Sequence, residues 1–151
     1  MNKGRAIALA GMLAGATALA GCATLEEAAV QATSATYHAT LTGAQEVGGG
    51  DPDGAAMAEV SISDGFNQIC WDISNVSNLD TVTAAHIHRG ARGVNGPPVF
   101  TLTKSNEGAW KGCADGSQWT QDRVSNNPEM FYVNVHTERY PNGAIRGQLG
   151  D

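Results

Sequence analysis

The sequence predicts an all-β domain, built as an antiparallel, Greek-key-like β-sandwich. Short stretches of alternating apolar and polar residues recur between turns that are rich in Gly, Pro, Asn and Asp. This pattern is typical of antiparallel strands that bury one face. No stretch of the domain has a helical repeat of useful length, and a chain of 151 residues is long enough for one domain with a full core.

The first 21 residues resemble the signal peptide of a bacterial lipoprotein. Lys3 and Arg5 provide a positive start, an apolar run of small residues follows, and Leu-Ala-Gly precedes Cys22. The run is too short for a comfortable membrane span. The resemblance implies export, cleavage before Cys22 and lipidation of that cysteine, whereas an ordinary secretory signal is the alternative. Because Ala23 is not Asp, an outer-membrane address is expected in a host that has one.

The next segment, residues 22–35, is predicted to be a tether because it is short, acidic and rich in small residues. The domain then spans residues 36–151. Loss of Lys3 and Arg5 leaves seven of the nine basic residues against all 15 acidic ones, a net charge of −8. Such a domain, without a basic patch, argues against a nucleic-acid partner. The expected partners are the membrane, through the lipid, and an unidentified extracytoplasmic protein or small ligand.

Eight strands are predicted along the domain. In chain order they occupy residues 36–47, 55–62, 69–76, 81–88, 97–104, 108–114, 129–137 and 143–149. The segment 116–130 is predicted to hold one helical turn, and Asn127 and Pro128 there are suited to a cap and a first helical residue.

Cys70 and Cys113 remain once Cys22 is assigned to the lipid. In an oxidising compartment, two remaining cysteines are expected to form one disulfide. The alternative is a pair of buried thiols, because the sequence does not give their separation.

Alternation places three of the four histidines on polar strand faces. His86 and His88 share one face of their strand, opposite Ala85 and Ile87. His136 lies on the polar face of its own strand, opposite the apolar side chains of Phe131, Val133 and Val135. If the two strands are neighbours, the three histidines converge on one site.

Two interpretations of this site remain open. Three imidazoles form a centre that suits copper or zinc. Alternatively, the histidines belong to a hydrogen-bonded network with Glu46, Arg146 and nearby backbone groups. In either case Glu46, Asn134 and Arg146 are expected to surround the site, with Glu46 as the charge partner of Arg146. His38 is interpreted as an exposed strand residue.

Two acidic residues and the missing motifs bear on other functions. Asp51 and Asp53 are interpreted as a solvated turn, because they lack the full ligand series of a calcium loop. The chain has no nucleophile elbow, zinc-protease motif or phosphate-binding loop, and its acidic residues form no recognisable glycosidase pair. The sequence therefore predicts a protein that is not an enzyme.

Three segments, taken together and in this order, resemble the CHRD domain, a family named from the animal protein chordin and also found in bacterial secreted proteins. They are LTGAQEV, VTAAHIHRGARGVNGPPVF and YVNVHTERYPNGAIRGQL. The resemblance covers roughly Thr36 to Leu149. It implies an extracellular β-sandwich without an assigned catalytic activity, which acts as a binding or structural module.

The family pattern marks a defined set of positions in this chain. They are Gly43, Glu46, His86, His88, Gly90, Gly96, Pro97, Asn134, His136, Gly143, Arg146 and Gly147. The chain departs from the pattern at residues 48–50, where Gly-Gly-Gly replaces prolines, and at Ala144, where the family usually has Glu. The resemblance therefore implies a lipid-anchored envelope module, and the alternative is a copper or zinc protein that is redox-active if it holds copper.

Overall fold

The computed structural model describes residues 34–63 and 65–150. The predicted signal peptide, Cys22 and most of the predicted tether lie outside the described residues. The strands are β1 (Ala35–Thr42), β2 (Ala55–Ser63), β3 (Gln68–Ser77), β4 (Val82–Arg89), β5 (Pro98–Leu102), β6 (Lys111–Asp115), β7 (Phe131–Thr137) and β8 (Ile145–Gln148). Helix α1 spans Gln118–Asn126, and 3₁₀ helices span Gly43–Gln45 and Pro128–Met130.

The eight strands form one sheet in the order β5-β4-β7-β8-β1-β2-β3-β6. Every neighbouring pair is antiparallel, which confirms the predicted fold class. The sheet is nearly closed, since Trp71 on β3 reaches β5 at the opposite end. The Trp71 and Phe100 ring centroids are 5.7 Å apart, and the Trp71 indole Nε1 donates a hydrogen bond of 3.1 Å to the Thr103 carbonyl.

One face of the sheet encloses the hydrophobic core. The fully buried core side chains include one each from β1, β2, β4, β7 and β8: Leu41, Val60, Ile87, Val133 and Ile145. Burial of each such side chain stabilises the fold by roughly 1.5–3 kcal/mol. The predicted apolar faces of β4 and β7 point into this core, so their polar faces are left on the opposite side of the sheet.

Helix α1 is longer than the single turn that the sequence predicts. The Ser117 hydroxyl caps its first turn by accepting a hydrogen bond of 3.2 Å from the Thr120 backbone N–H. Its buried residues include Thr120, Gln121 and Val124, and Gln121 Nε2 donates to Asn67 Oδ1 and to the Gly116 carbonyl. Because two of these three side chains are polar, they leave little apolar periodicity in the sequence.

The turn after α1 follows the prediction more closely. Pro128 is the first residue of a 3₁₀ helix, and Asn127 precedes it without a capping bond from its side chain. Within the described residues, no helix has both the length and the apolar character needed to cross a membrane.

The disulfide between Cys70 and Cys113 is present and joins β3 to the edge strand β6. The two cysteines lie directly opposite each other in the antiparallel register of these strands. The bond therefore fastens the end of the sheet and closes a chain segment with a sequence separation of 43.

Candidate metal centre

The candidate site lies on the face of β4 and β7 opposite the core. These strands are neighbours, and their register pairs His86 with Asn134 and Ala84 with His136. His136 is therefore diagonal to His86 across the two strands, within reach of its imidazole. Backbone pairing thus brings together residues that are distant in the sequence.

The three imidazoles form a compact cluster. The ring centroid of His86 is 5.6 Å from that of His88 and 5.1 Å from that of His136, and the last two are 6.3 Å apart. One ring nitrogen of each histidine lies within 4.8 Å of the others. The centre of such a triangle is at most about 2.8 Å from each nitrogen, so shifts of less than about 1 Å give the 2.0–2.1 Å expected of a metal–imidazole bond.

Three ring nitrogens at this place are buried and have no hydrogen-bond partner in the described part of the chain. They are Nδ1 of His86, Nε2 of His88 and Nε2 of His136. Buried polar atoms are nearly always paired, and each exception needs an explanation. A shared ion explains all three together.

The surrounding backbone fixes the tautomer of two of these rings. Nδ1 of His88 lies 2.9 Å from the Gly96 carbonyl oxygen, and Nδ1 of His136 lies 3.0 Å from the Pro141 carbonyl oxygen. A carbonyl oxygen only accepts, so each Nδ1 carries the proton and donates it. In the neutral ring Nε2 then presents a lone pair, which is the arrangement found in metal-binding histidines.

The electrostatic surroundings favour neutral rings. Burial lowers the pKa of His86, and the neighbouring charges of His136 and His88 lower it further. Burial is also the main reason that the pKa of His88 is lowered, and the charges of His136 and Arg146 lower it further. The hydrogen bond between His88 and the Gly96 carbonyl raises this pKa and so opposes the shift. Metal binding requires neutral imidazole, so these shifts reduce the competition from protons.

An aromatic stack orients His88. Its ring lies nearly parallel to that of Tyr132, with an interplanar angle of 14° and centroids 5.0 Å apart. The guanidinium carbon of Arg146 lies 3.7 Å from the Tyr132 centroid. Because β4 and β8 flank β7, Tyr132 is held between a residue of each neighbouring strand.

Arg146 is buried, with 2 % of its surface exposed. Its Nη1 donates to Asn95 Oδ1 at 3.0 Å, and its Nη2 donates to the carbonyls of Val94 at 3.1 Å and Ala91 at 3.4 Å. The sequence predicts Glu46 as its charge partner. In the structure the hydrogen bonds of Arg146 hold the loop between β4 and β5. Arg146 also acts on Glu46 through its charge, which partly offsets the effect of burial on the pKa of Glu46.

Glu46 lies beside Asn134, the residue that pairs with His86. Its carboxylate accepts a short hydrogen bond from Asn134 Nδ2, and a Cβ on Gly143 would lie 2.8 Å from its carboxyl oxygens. Burial raises the pKa of Glu46 to about 7, although Arg146 and the Asn134 bond both oppose the rise. Glu46 and Asn134 thus lie beside the histidine cluster.

Two other residues singled out from the sequence lie apart from the cluster. His38 is exposed on β1, with its Nδ1 3.8 Å from a carboxylate oxygen of Glu59. The interpretation of Asp51 as part of a solvated turn is wrong, because Asp51 is only 7 % exposed. Its backbone N–H donates to the Ala144 carbonyl, and its carboxylate accepts from the Asp53 N–H. Both hydrogen bonds stabilise the loop that contains Asp51.

The carbonyl groups that hold the histidines were not predictable from side-chain patterns. A Cβ on Gly96 would overlap the Arg89 carbonyl, so only glycine allows this loop to approach His88 so closely. The one signal in the sequence is the Gly-Pro step at 96–97, which marks a tight turn without showing what it contacts.

The protein is thus an all-β domain that carries a histidine cluster on the outer face of its sheet. The family model of the CHRD domain matches residues 37–149, and the chain belongs to the CHRD domain family. A comparison with curated proteins finds no match, and a comparison with solved structures finds none either. Membership of this family supports, in general terms, a non-enzymatic extracellular module.

Proposed function

We propose that the protein is a non-enzymatic module of the cell envelope that binds one copper or zinc ion through His86, His88 and His136. The observation that carries the metal site is the set of three buried, unpartnered ring nitrogens in one cluster. A hydrogen-bonded network accounts for these nitrogens less well, because in such a network they would be paired.

The donor set determines the class of metal. Imidazole nitrogens suit zinc and copper, whereas magnesium and calcium prefer oxygen ligands. The carbonyls of Gly96 and Pro141 orient two of the rings before any ion arrives, which lowers the cost of assembling the site. Copper would in addition give the site one-electron redox chemistry.

Titration of the metal-free protein with copper and zinc salts tests this function. We expect one ion per chain for the wild type, and binding at least about a hundredfold weaker for His88→Ala, because loss even of a group that only supports a ligand typically costs 10–100-fold. Calorimetry gives the affinity, and elemental analysis of the exported protein gives the natural occupancy.

His38→Ala is the matched control, because His38 is an exposed histidine on a strand outside the cluster. It should bind metal as the wild type does. Equal, negligible uptake by the wild type and His88→Ala would overturn the metal site and leave a polar network within a CHRD module.

We also expect the module to be tethered to a membrane by lipid on Cys22, with the outer membrane favoured where the host has one. This rests on the charged start, the apolar run and the Leu-Ala-Gly-Cys sequence. Mass spectrometry of the mature N-terminus should find a diacylated Cys22, and Cys22→Ser should give a soluble or unprocessed product. An unmodified Cys22, or cleavage at another site, contradicts the prediction.

A further inference from the structure

The candidate site offers three protein ligands, one fewer than a tetrahedral ion requires. Among the described His, Cys, Asp and Glu residues, the only group placed to share an ion consists of His86, His88 and His136. Structural zinc sites are closed by four protein ligands, whereas three leave a position for an exchangeable ligand.

Three polar side chains around the site have hydrogen-bond partners of their own. The Tyr132 hydroxyl accepts a hydrogen bond of 3.2 Å from the Gly96 N–H. Glu46 is bound to Asn134, and the three hydrogen bonds of Arg146 are made to the loop between β4 and β5. A guanidinium is in any case only a donor and does not bind a cation.

The three ring nitrogens that would hold the ion are buried, but the side chains that carry them reach the surface. All three histidines are only partly buried as whole residues, and they lie on the face of the sheet away from the core. An ion held there therefore lies close to solvent.

The charge of the centre selects the kind of ligand. Three neutral imidazoles leave the charge of a divalent ion uncompensated at the centre itself, because the Arg146 guanidinium and the Glu46 carboxyl both lie outside the cluster and oppose each other in charge. No carboxylate belongs to the cluster in the described residues. An anion in the open position therefore gains Coulomb energy that a neutral ligand does not.

Resting on the proposed function, we infer that the bound ion keeps one exchangeable coordination position, which holds water at rest and accepts a small monodentate anion. The exchange replaces a metal–oxygen bond by a bond to the anion and involves no electron transfer. The site is thus a receptor for an anion as well as for a metal.

Azide added to the copper(II)-loaded full chain tests this inference. We expect a new charge-transfer absorption band that saturates at one azide per copper, with a parallel change in the electron paramagnetic resonance spectrum. Removal of azide by dialysis should restore the original spectra with the copper still bound. Under the same conditions, His38→Ala should behave as the wild type, and His88→Ala should show no more signal than copper in buffer.

The outcomes separate the two proposals. Copper uptake followed by spectra that azide leaves unchanged would overturn the open position alone, and would mean that a fourth ligand from the chain closes the site. Loss of copper on addition of azide would also overturn it. Failure of the chain to take up copper or zinc would overturn the proposed function itself.

Discussion

Arg146→Ala should lower the free energy of unfolding by about 4 kcal/mol, the largest effect that we expect from one substitution in this protein. The side chain is 2 % exposed and donates to Asn95 Oδ1 and to two loop carbonyls. Its removal leaves the half-buried Ala91 carbonyl without this donor, at about 1–3 kcal/mol, whereas water replaces the guanidinium at the exposed Val94 and Asn95. It also leaves a cavity beside Tyr132, against whose ring the guanidinium packs.

Urea denaturation of the wild type and the variant measures this loss. Arg139→Ala is the matched control, because Arg139 is exposed and its guanidinium carbon lies 5.6 Å from the Tyr140 ring centroid. The control should change stability by less than about 1 kcal/mol. Arg146→Lys should recover only part of the loss, since an ammonium retains the charge but not the planar fork.

A second readout separates the charge of Arg146 from its hydrogen bonds. Arg146 lowers the pKa of Glu46, so the alanine variant should titrate Glu46 at a higher pH and the lysine variant close to the wild-type value. Equal stability of the wild type and Arg146→Ala would contradict the structural role assigned to this residue.

Removal of the Cys70–Cys113 disulfide should lower the free energy of unfolding by about 4 kcal/mol. In the chain-entropy model, a bond that closes a segment with a sequence separation of 43 restricts the unfolded state by about this amount. The effect should concentrate at β6, which lies at the edge of the sheet and pairs with β3 alone.

The double variant Cys70→Ser, Cys113→Ser, compared with the oxidised wild type in urea, gives the size of the effect. Reduction of the wild type under the same conditions is the control for the substitutions themselves. Amide hydrogen exchange should show the earliest loss of protection at residues 111–115. Coincident unfolding curves for the oxidised and reduced proteins would contradict the prediction.

Much of the architecture can be predicted from local patterns in the sequence. The period-two alternation of 82–89 and 131–137 determines which side chains face the core, and the structure confirms those faces at Ile87 and Val133. Two remaining cysteines predict one disulfide by their number alone, and the structure contains it. Such features follow from neighbours along the chain, so they are visible without knowledge of the fold.

Helix α1 shows where local patterns are insufficient. Its buried Gln121 looks like a surface residue in the sequence, but inside the fold its amide nitrogen donates to Asn67 and Gly116. Arg146 is similar, because a loop that covers the outer face of the sheet provides its acceptors. A polar residue is buried only where distant groups satisfy it, and the sequence does not reveal those groups.

Sequence patterns alone predict an antiparallel all-β domain of the CHRD family, with His86, His88 and His136 on polar strand faces. The pairing of β4 with β7, which places the three rings around one centre, is visible only in the folded chain. The same is true of the Gly96 and Pro141 carbonyls, which fold against His88 and His136 and select the tautomers of those two rings. The physical reason is that alternation depends on adjacent residues, whereas strand pairing and loop contacts depend on the whole chain folding at once.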